Sequence, residues 1–366
     1  MQTDRRSVLK ASGIAAALGA TGLAGCSGFL GGGGEPGPAD YRYDPSELTD
    51  TENKFYGIVD YAGLYEAREN FPESTRESLE SSEESPVDPA DIDTLTGVGG
   101  AQVSMGEQSA SSTVFGSLVL LGSFDQSTVE QDLQENGAQE TGEYEGYTLY
   151  ENAGGSSPSS AGSMGNASTT AAVRNGAAVF GAVGSQDETN ADITGEQAAR
   201  VMIDASNGNV GRLEENSERV QSLNSRLGET NMTMGGQIDP ALVETATQQS
   251  QGGGMQTQFI EGIRAGGFGM TVEGETTTMN AVFLYTDADR AENSGVKELV
   301  DLASQQAVEE NPGLDSVEAE YDGNAAVVTV EGATETVFEQ GTSTGPGGGF
   351  AAADPADVGA VPVPDQ

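Results

Sequence analysis

The stretch Thr113-Val114-Phe115-Gly116-Ser117-Leu118-Val119-Leu120-Leu121-Gly122-Ser123-Phe124 decides the fold class. Its centre, Val114 to Leu121, is the most apolar run after the first 26 residues. It has strand length and is bounded by turn residues, so it reads as a buried strand. Gly97 to Met105 precedes it as a second strand across a turn. Asp125 follows as the N-cap of a helix over Ser127 to Asn136, with Val129 and Leu133 at i, i+4 on one face. A strand pair followed by a covering helix is α+β grammar, not the regular βαβ alternation of a doubly wound sheet.

Working upstream, Lys54 to Val59 reads as a strand and Tyr61 to Asn70 as a helix capped by Asp60. Glu73 to Pro89 is acidic and polar, with a helical start over Ser74 to Ser81. Downstream, Tyr144 to Tyr150 reads as one strand and Gly154 to Thr170 as a Gly/Ser-rich mobile loop. Ala171 to Val183 reads as a hairpin turning at Asn175-Gly176, because both turn residues tolerate positive φ. Thr194 with Gln197 fits a capping box for a helix ending near Ser206. A longer helix spans Val210 to Leu227 and stops at Gly228.

From about Asn231 the same order returns. Thr233 to Asp239 parallels Phe55 to Asp60, and Pro240 opens a helix after Asp239. Ala265 to Val272 parallels Val98 to Val103; Met279 to Thr286 parallels the strand before Asp125, with Asp287 in Asp125's place. A helix from Asp289 to about Glu310 follows, and Glu320-Tyr321-Asp322-Gly323 parallels Glu143-Tyr144-Glu145-Gly146, each opening a strand. The expected fold is therefore α+β with two related units, each an antiparallel sheet with helices packed on one face, preceded by a signal peptide and a flexible tether.

The first 26 residues are of a different kind. Arg5-Arg6-Ser7-Val8-Leu9-Lys10 resembles the twin-arginine export signal, with Val8 at its Phe position and Asp4 at its Ser/Thr position. The apolar stretch Ala11 to Leu23 is shorter than the ~20 residues a bilayer-spanning helix needs. Leu23-Ala24-Gly25-Cys26 resembles a lipobox, in which the cysteine becomes the lipidated first residue. Cys26 is the single cysteine of the chain. These likenesses imply export, membrane attachment through a lipid anchor, and a place on the outer face of the cell membrane. The expected divisions are a signal peptide (1–25), a lipidated cysteine and acidic Gly/Pro-rich tether (26–51), a first unit (52–230), a second unit (231–340) and a disordered tail (341–366).

Composition bounds the chemistry. Asp and Glu number 58 against 15 Lys and Arg, a formal net charge of −43 with no His and no Trp. Such a surface repels itself in ordinary buffer, and molar salt removes most of that repulsion. The acidic, lysine-poor composition looks like that of a halophilic archaeal protein. The chain also resembles a broad group of exported bacterial and archaeal proteins with a duplicated domain of unknown function, on Gly-Gly before a strand pair, Asp before a helix and Tyr-x-Gly before a strand over Phe55 to Val330. That likeness implies no activity. No basic patch is present to neutralise phosphates, so no nucleic-acid partner is expected. Without His, Ser-His-Asp and Cys-His catalysis cannot be built, and Cys/His zinc, blue-copper and haem sites lose their usual ligands.

Carboxylate chemistry and hard-cation binding remain. Asp60, Asp125, Asp239 and Asp287 recur at one place in each unit, as helix caps on one reading and as Ca²⁺ or Mg²⁺ ligands on the other. Asp287, Asp289 and Glu292 form the densest local set but lack EF-hand spacing. Tyr144, Tyr147, Tyr150 and Tyr321 line a binding face or are half-buried strand positions. Asn166 and Asn231 begin N-glycosylation sequons. No catalytic residue and no cofactor is expected. The expectation is a non-enzymatic, lipid-anchored interaction or structural module of the envelope with a protein partner there; the alternatives are a ligand- or cation-binding lipoprotein serving transport and, behind it, a carboxylate-dependent hydrolase.

Overall fold

The structure, a computed structural model, describes residues 36–80, 87–105, 110–152, 166–185, 193–249 and 255–338. The export signal (Arg5, Arg6), the lipidation site Cys26 and the 341–366 tail lie outside the described residues. No helix among the described residues is long and apolar enough to cross a membrane.

The chain is α+β, built on one antiparallel sheet of twelve strands. The first unit supplies β1 (Asn53–Asp60), β2 (Ile92–Met105), β3 (Ala110–Gly122), β4 (Gln139–Tyr144), β5 (Tyr147–Glu151), β6 (Asn166–Arg174) and β7 (Ala177–Ser185). The second supplies β8 (Met232–Gln237), β9 (Ile263–Glu273), β10 (Thr276–Tyr285), β11 (Leu314–Asp322) and β12 (Ala325–Ala333). The strand order is β11-β12-β10-β9-β8-β1-β2-β3-β7-β6-β5-β4. The two units thus meet at a β1–β8 seam and read outward from it in parallel order: β1-β2-β3 on one side, β8-β9-β10 on the other. The hairpin β11–β12 closes directly on β10, whereas its sequence counterpart β4–β5 is separated from β3 by the hairpin β6–β7. Because a hairpin contributes two strands, its insertion leaves β5 antiparallel to β3, as β12 is to β10.

The helices are α1 (Tyr61–Glu66), α2 (Glu73–Glu80), α3 (Gln126–Glu135), α4 (Gly195–Ser206), α5 (Leu213–Asn216), α6 (Glu218–Leu227), α7 (Pro240–Gln249), α8 (Met255–Ile260), α9 (Ala288–Glu292) and α10 (Val296–Glu310). Strand side chains alternate between faces. Val59, Leu95, Tyr150, Val173 and Ala178 face α1–α3 on one side. Ile263, Phe283, Tyr285, Ala326 and Val328 pack with Phe259 of α8, Ala291 of α9 and Val296 of α10. The second unit keeps these helices on one face, while the first adds the α4–α6 layer on the opposite face. There Met202, Ile203, Leu213, Val220, Leu223 and Leu227 bury Tyr56, Val98, Val119 and Val179, and also Ala265 and Val282 across the seam. Helix α4 lies against β7 so closely that a Cβ at Gly181 would meet the Gly195 carbonyl and the Ala199 backbone.

Local geometry corrects several expectations. Tyr144 to Tyr150 is a hairpin, not one strand: Glu145 (φ 48°) and Gly146 (φ 82°) both take the left-handed region that a tight primed turn requires. Gly323 (φ 59°) serves the matching β11–β12 turn. The Val210–Leu227 helix is broken at Ser217, whose Oγ accepts from Val220 N at 3.2 Å and starts α6 afresh. The Asp289–Glu310 helix is broken at left-handed Gly295. Strand β6 begins at Asn166, inside the segment expected to be a loop.

The largest correction concerns the tether. Within 26–51, residues 36–51 belong to the folded body. Tyr41 and Tyr43 are fully buried, and Arg42 and Asp44 nearly so. The segment Pro38–Leu48 forms a strap between the sheet and the α5 region. Asp44 N donates to Gly211 O, and Leu213 N to Arg42 O, each at 2.9 Å. Its side chains grip both the sheet and the α5 region. Tyr41 Oη meets Tyr147 Oη at 3.0 Å and Tyr43 Oη meets Ser117 Oγ at 3.3 Å. Asp40 pairs with Arg212 at 2.7 Å, Arg42 with Glu214 at 2.5 Å, and Asp44 with Lys54 at 2.5 Å. Three to five ordered residues are too few for a periodic signal, so the Gly/Pro surroundings dominate a sequence-level reading.

Candidate functional site

The candidate residues do not converge. Asp60 Oδ1 accepts from Gly63 N at 2.9 Å, Asp239 Oδ1 from Ala241 N at 2.8 Å, and Asp287 Oδ1 from Arg290 N at 2.8 Å. Asp125 stands at the N-cap of α3 but makes no side-chain cap; Asn175 Oδ1 accepts from Gln126 N instead, at 3.0 Å. Asp289 and Glu292 are exposed on the five-residue α9, and no group of three or more His, Cys, Asp or Glu able to hold a metal occurs among the described residues.

The tyrosines divide between the two faces. Tyr144 donates to Asp204 at 2.9 Å under the Arg200 guanidinium, 4.5 Å from the ring centre. Tyr147 is locked on Tyr41, and burial together with that neighbouring hydroxyl raises its pKa far above the usual range. Tyr150 faces α3 on the other side, and Tyr321 lies against α10, accepting from Lys297 N at 3.2 Å. Tyr144, Arg200 and Asp204 line a cavity of about 340 Å³ with Glu47, Leu48 and Val201. Within it Asp204 accepts from Tyr144, while Arg200 pairs with Glu196 outside the lining at 2.5 Å.

Asn231, which begins a sequon, is engaged through both polar atoms of its side chain. Its Nδ2, the atom a glycan would occupy, donates to Asp60 Oδ2 at 2.9 Å, and its Oδ1 accepts from Val272 N at 2.9 Å. Asn53 does the mirrored work at the other end of the seam. Its Oδ1 accepts from Asp239 N at 2.9 Å and its Nδ2 donates to Ala101 O at 3.2 Å. Asn53 begins β1 and Asn231 immediately precedes β8, and each clasps the capping aspartate of the other unit, so the seam is closed by a reciprocal pair.

The feature that sequence reasoning missed is on the face carrying α1–α3 and α8–α10. Among the described residues, these two helix groups leave the middle of the sheet between them without a helical cover, with the helical turn 334–338 at its border. Two cross-strand rows occupy that gap. In the first, Ala182, Gly116, Gly99, Phe55, Gly236 and Gly266 follow one another from β7 to β9. In the second, Phe180, Leu118, Gly97, Gly57, Met234, Phe268 and Ala281 run from β7 to β10. At a strand spacing of about 4.8 Å the strip extends roughly 24–29 Å across the sheet. No position in either row carries a polar side chain. Phe55, at its centre, lies over Gly99 and is 43% exposed, while Leu118, Phe180, Met234 and Phe268 are half-buried. Glycine-rich strands leave no apolar alternation, so only the register reveals the row. The strands beneath are paired on both sides, so the strip offers apolar contact without free backbone hydrogen-bonding groups.

No family model matches the chain, and no curated protein matches it. Solved structures similar to it include crystal form III of TP0453 (TM-score 0.42, 10% identity, covering 84% of this chain and 97% of that one) and crystal form I of the same protein (TM-score 0.40, 9% identity, covering 86% and 100%).

Proposed function

We propose that this chain is a lipid-anchored, non-enzymatic envelope protein of a halophilic archaeon, exported through its twin-arginine signal and held to the outer face of the membrane by Cys26, and that it docks a protein partner on the seam strip. The single observation that carries the interaction reading is the strip itself. A chain with 58 acidic residues keeps thirteen aligned positions free of polar side chains, on a sheet face that the helices among the described residues leave open. A contiguous apolar strip with an exposed phenylalanine at its centre, rimmed by an acidic surface, is the kind of feature that marks an interaction site. Asp44, the one Asp or Glu that is buried among the described residues, is committed to Lys54, and Glu214 to Arg42, which speaks against a hydrolytic carboxylate pair there.

The test is capture from native membranes in high salt with the full chain and with Phe55→Asp. The wild type is expected to retain a defined protein that Phe55→Asp loses, while Leu302→Asp, on the exposed face of α10, retains it. Equal capture by all three, or lipid alone, would sink the docking reading. Cys26→Ser tests the anchor separately: the expected result is release to the medium or an unprocessed precursor, and unchanged retention contradicts it.

A further inference from the structure

We propose that the cavity of about 340 Å³ between the strap and α4 is a binding site for a free aliphatic α-amino acid, a function separate from docking on the seam strip. The cavity lies on the side of the sheet that carries α4–α6, and the strip occupies the opposite face. Its volume falls at the lower end of the range of small-molecule sites, about 300–1,000 Å³. Pieces of chain distant in sequence build it: Glu47 and Leu48 of the strap, Tyr144 at the end of β4, and one side of α4 with Val210 beyond it.

The chemistry of the lining is divided. Leu48, Ile193, Val201 and Val210 make an aliphatic wall. Arg200 and Asp204 stand about one turn apart on α4, and both engage Tyr144. The guanidinium lies over the ring, 4.5 Å from its centre, and the carboxylate accepts from the hydroxyl at 2.9 Å. Opposite charges are thus fixed one phenol ring apart, beside an apolar surface. Neither is saturated. One hydroxyl proton is shared between the two oxygens of Asp204, where a carboxylate has about four acceptor positions. Asn209 Nδ2 adds a long contact to Asp204 at 3.4 Å. Glu47 brings a second carboxylate to the same connection between α4 and α5, its Oε1 accepting from Gly211 N at 3.3 Å. Arg200 directs one nitrogen to Glu196, with the two side chains 40% and 31% exposed. An ion pair that open contributes little, so sharing the guanidinium with a ligand carboxylate costs little.

The arrangement selects by sign. A simple anion would meet Asp204 and Glu47, and a simple cation would meet Arg200. A molecule carrying both charges close together finds a counterpart for each. An α-amino acid has that form: its ammonium faces Asp204 and Glu47, its carboxylate faces Arg200, and an aliphatic side chain seats on the wall.

Calorimetric titration of the full chain in high salt tests this, with L-leucine as the probe. Saturable one-site binding is expected. Three partial ligands should bind at least about tenfold more weakly, because each leaves a charged group or the wall without its counterpart: L-leucinamide lacks the carboxylate, 4-methylpentanoate the ammonium, and glycine the side chain. These comparisons read the wild-type protein and need no variant to fold. Asp204→Asn, which keeps an acceptor for Tyr144, and Arg200→Gln should each weaken leucine by about the same factor. Absence of saturable leucine binding up to about 10 mM overturns the inference. Leucinamide binding as tightly as leucine overturns it too, and points instead to the amino terminus of a peptide. Partner capture through Phe55 is read on the other face, so either proposal can fail while the other stands.

Discussion

Lys54→Met should cost this protein about 3–5 kcal/mol, and the cost should not fall with salt. Lys54 Nζ lies 2.5 Å from Asp44 Oδ1, with both side chains less than a tenth exposed. Removing one member of a buried pair leaves the other charge uncompensated, which is the origin of that magnitude. Burial pushes the Asp44 carboxyl upward, but the Lys54 ammonium and the Ser46 N–H outweigh it and hold its pKa below the usual 3.8. A carboxylate depressed in the fold contributes stability above its unfolded pKa and loses it as pH falls through the folded one. The Asp44 contribution is therefore full well above pH 3.8 and disappears only in stronger acid. Between about 0.1 M and 1 M salt the Debye length falls from about 10 Å to about 3 Å, which screens exposed pairs and spares buried ones. Lys297–Asp301 is the internal comparison, at 3.2 Å with both side chains about half exposed. Lys297→Met should cost under about 1 kcal/mol, less still at high salt. Urea unfolding midpoints at the two salt concentrations measure both. Asp44→Leu combined with Lys54→Met should recover most of the loss, because no buried charge is left over. A Lys54→Met cost below about 1 kcal/mol, or one that shrinks with salt as that of Lys297→Met does, would refute the claim that the strap is held by an unscreened pair.

Asn231→Ala should cost about 1–3 kcal/mol, since it strands Val272 N–H and one oxygen of Asp60, and the loss is read from thermal melts. Peptide mapping of the protein from its native source should find Asn231 without a glycan. Gly181→Ala should destabilise by about 1–3 kcal/mol or more, because the added methyl meets the backbone of α4 and neither element can retreat without opening the core; the same substitution at Gly266, a strand glycine without positive φ whose new Cβ would have its nearest neighbours at an ordinary 3.6 Å, is the control without the clash.

Much of the architecture was legible in the sequence. The apolar run before Asp125 does become an inner strand, and Asn175-Gly176 does make a turn, with Gly176 at φ 70°. The Thr194 capping box forms in both directions. These features are local, and each is fixed by a few neighbouring residues. What escaped depended on distant partners. The strap is ordered by Tyr147, Ser117, Arg212 and Glu214, which lie 74 to 172 positions away from their contacts in sequence. Asn231 resembles a glycan acceptor until Asp60 is placed beside it. The seam strip escaped for another reason: its glycines carry no hydropathy signal, and their alignment exists only once β8 pairs with β1.

The strap and the strip are two sides of one strand. Lys54 and Tyr56 of β1 point toward the strap, where Lys54 holds Asp44 and the Tyr56 ring lies 5.4 Å beneath the Arg42 guanidinium. Phe55 and Gly57 point the other way and form the centre of the strip. Alternation along a single strand therefore places the attachment of the strap and the proposed docking surface back to back, with no intervening element that could decouple them. β1 is also the strand at which the two units join, paired with β2 on one edge and β8 on the other. A pull arriving through the strap is then opposed by two hydrogen-bonded ladders in shear, and by the two asparagine clasps at the ends of the seam. An edge strand in the same role would have a single ladder that could open one bond at a time. The second unit supplies this position: without β8, β1 would be an edge, and the strip would lose half its width.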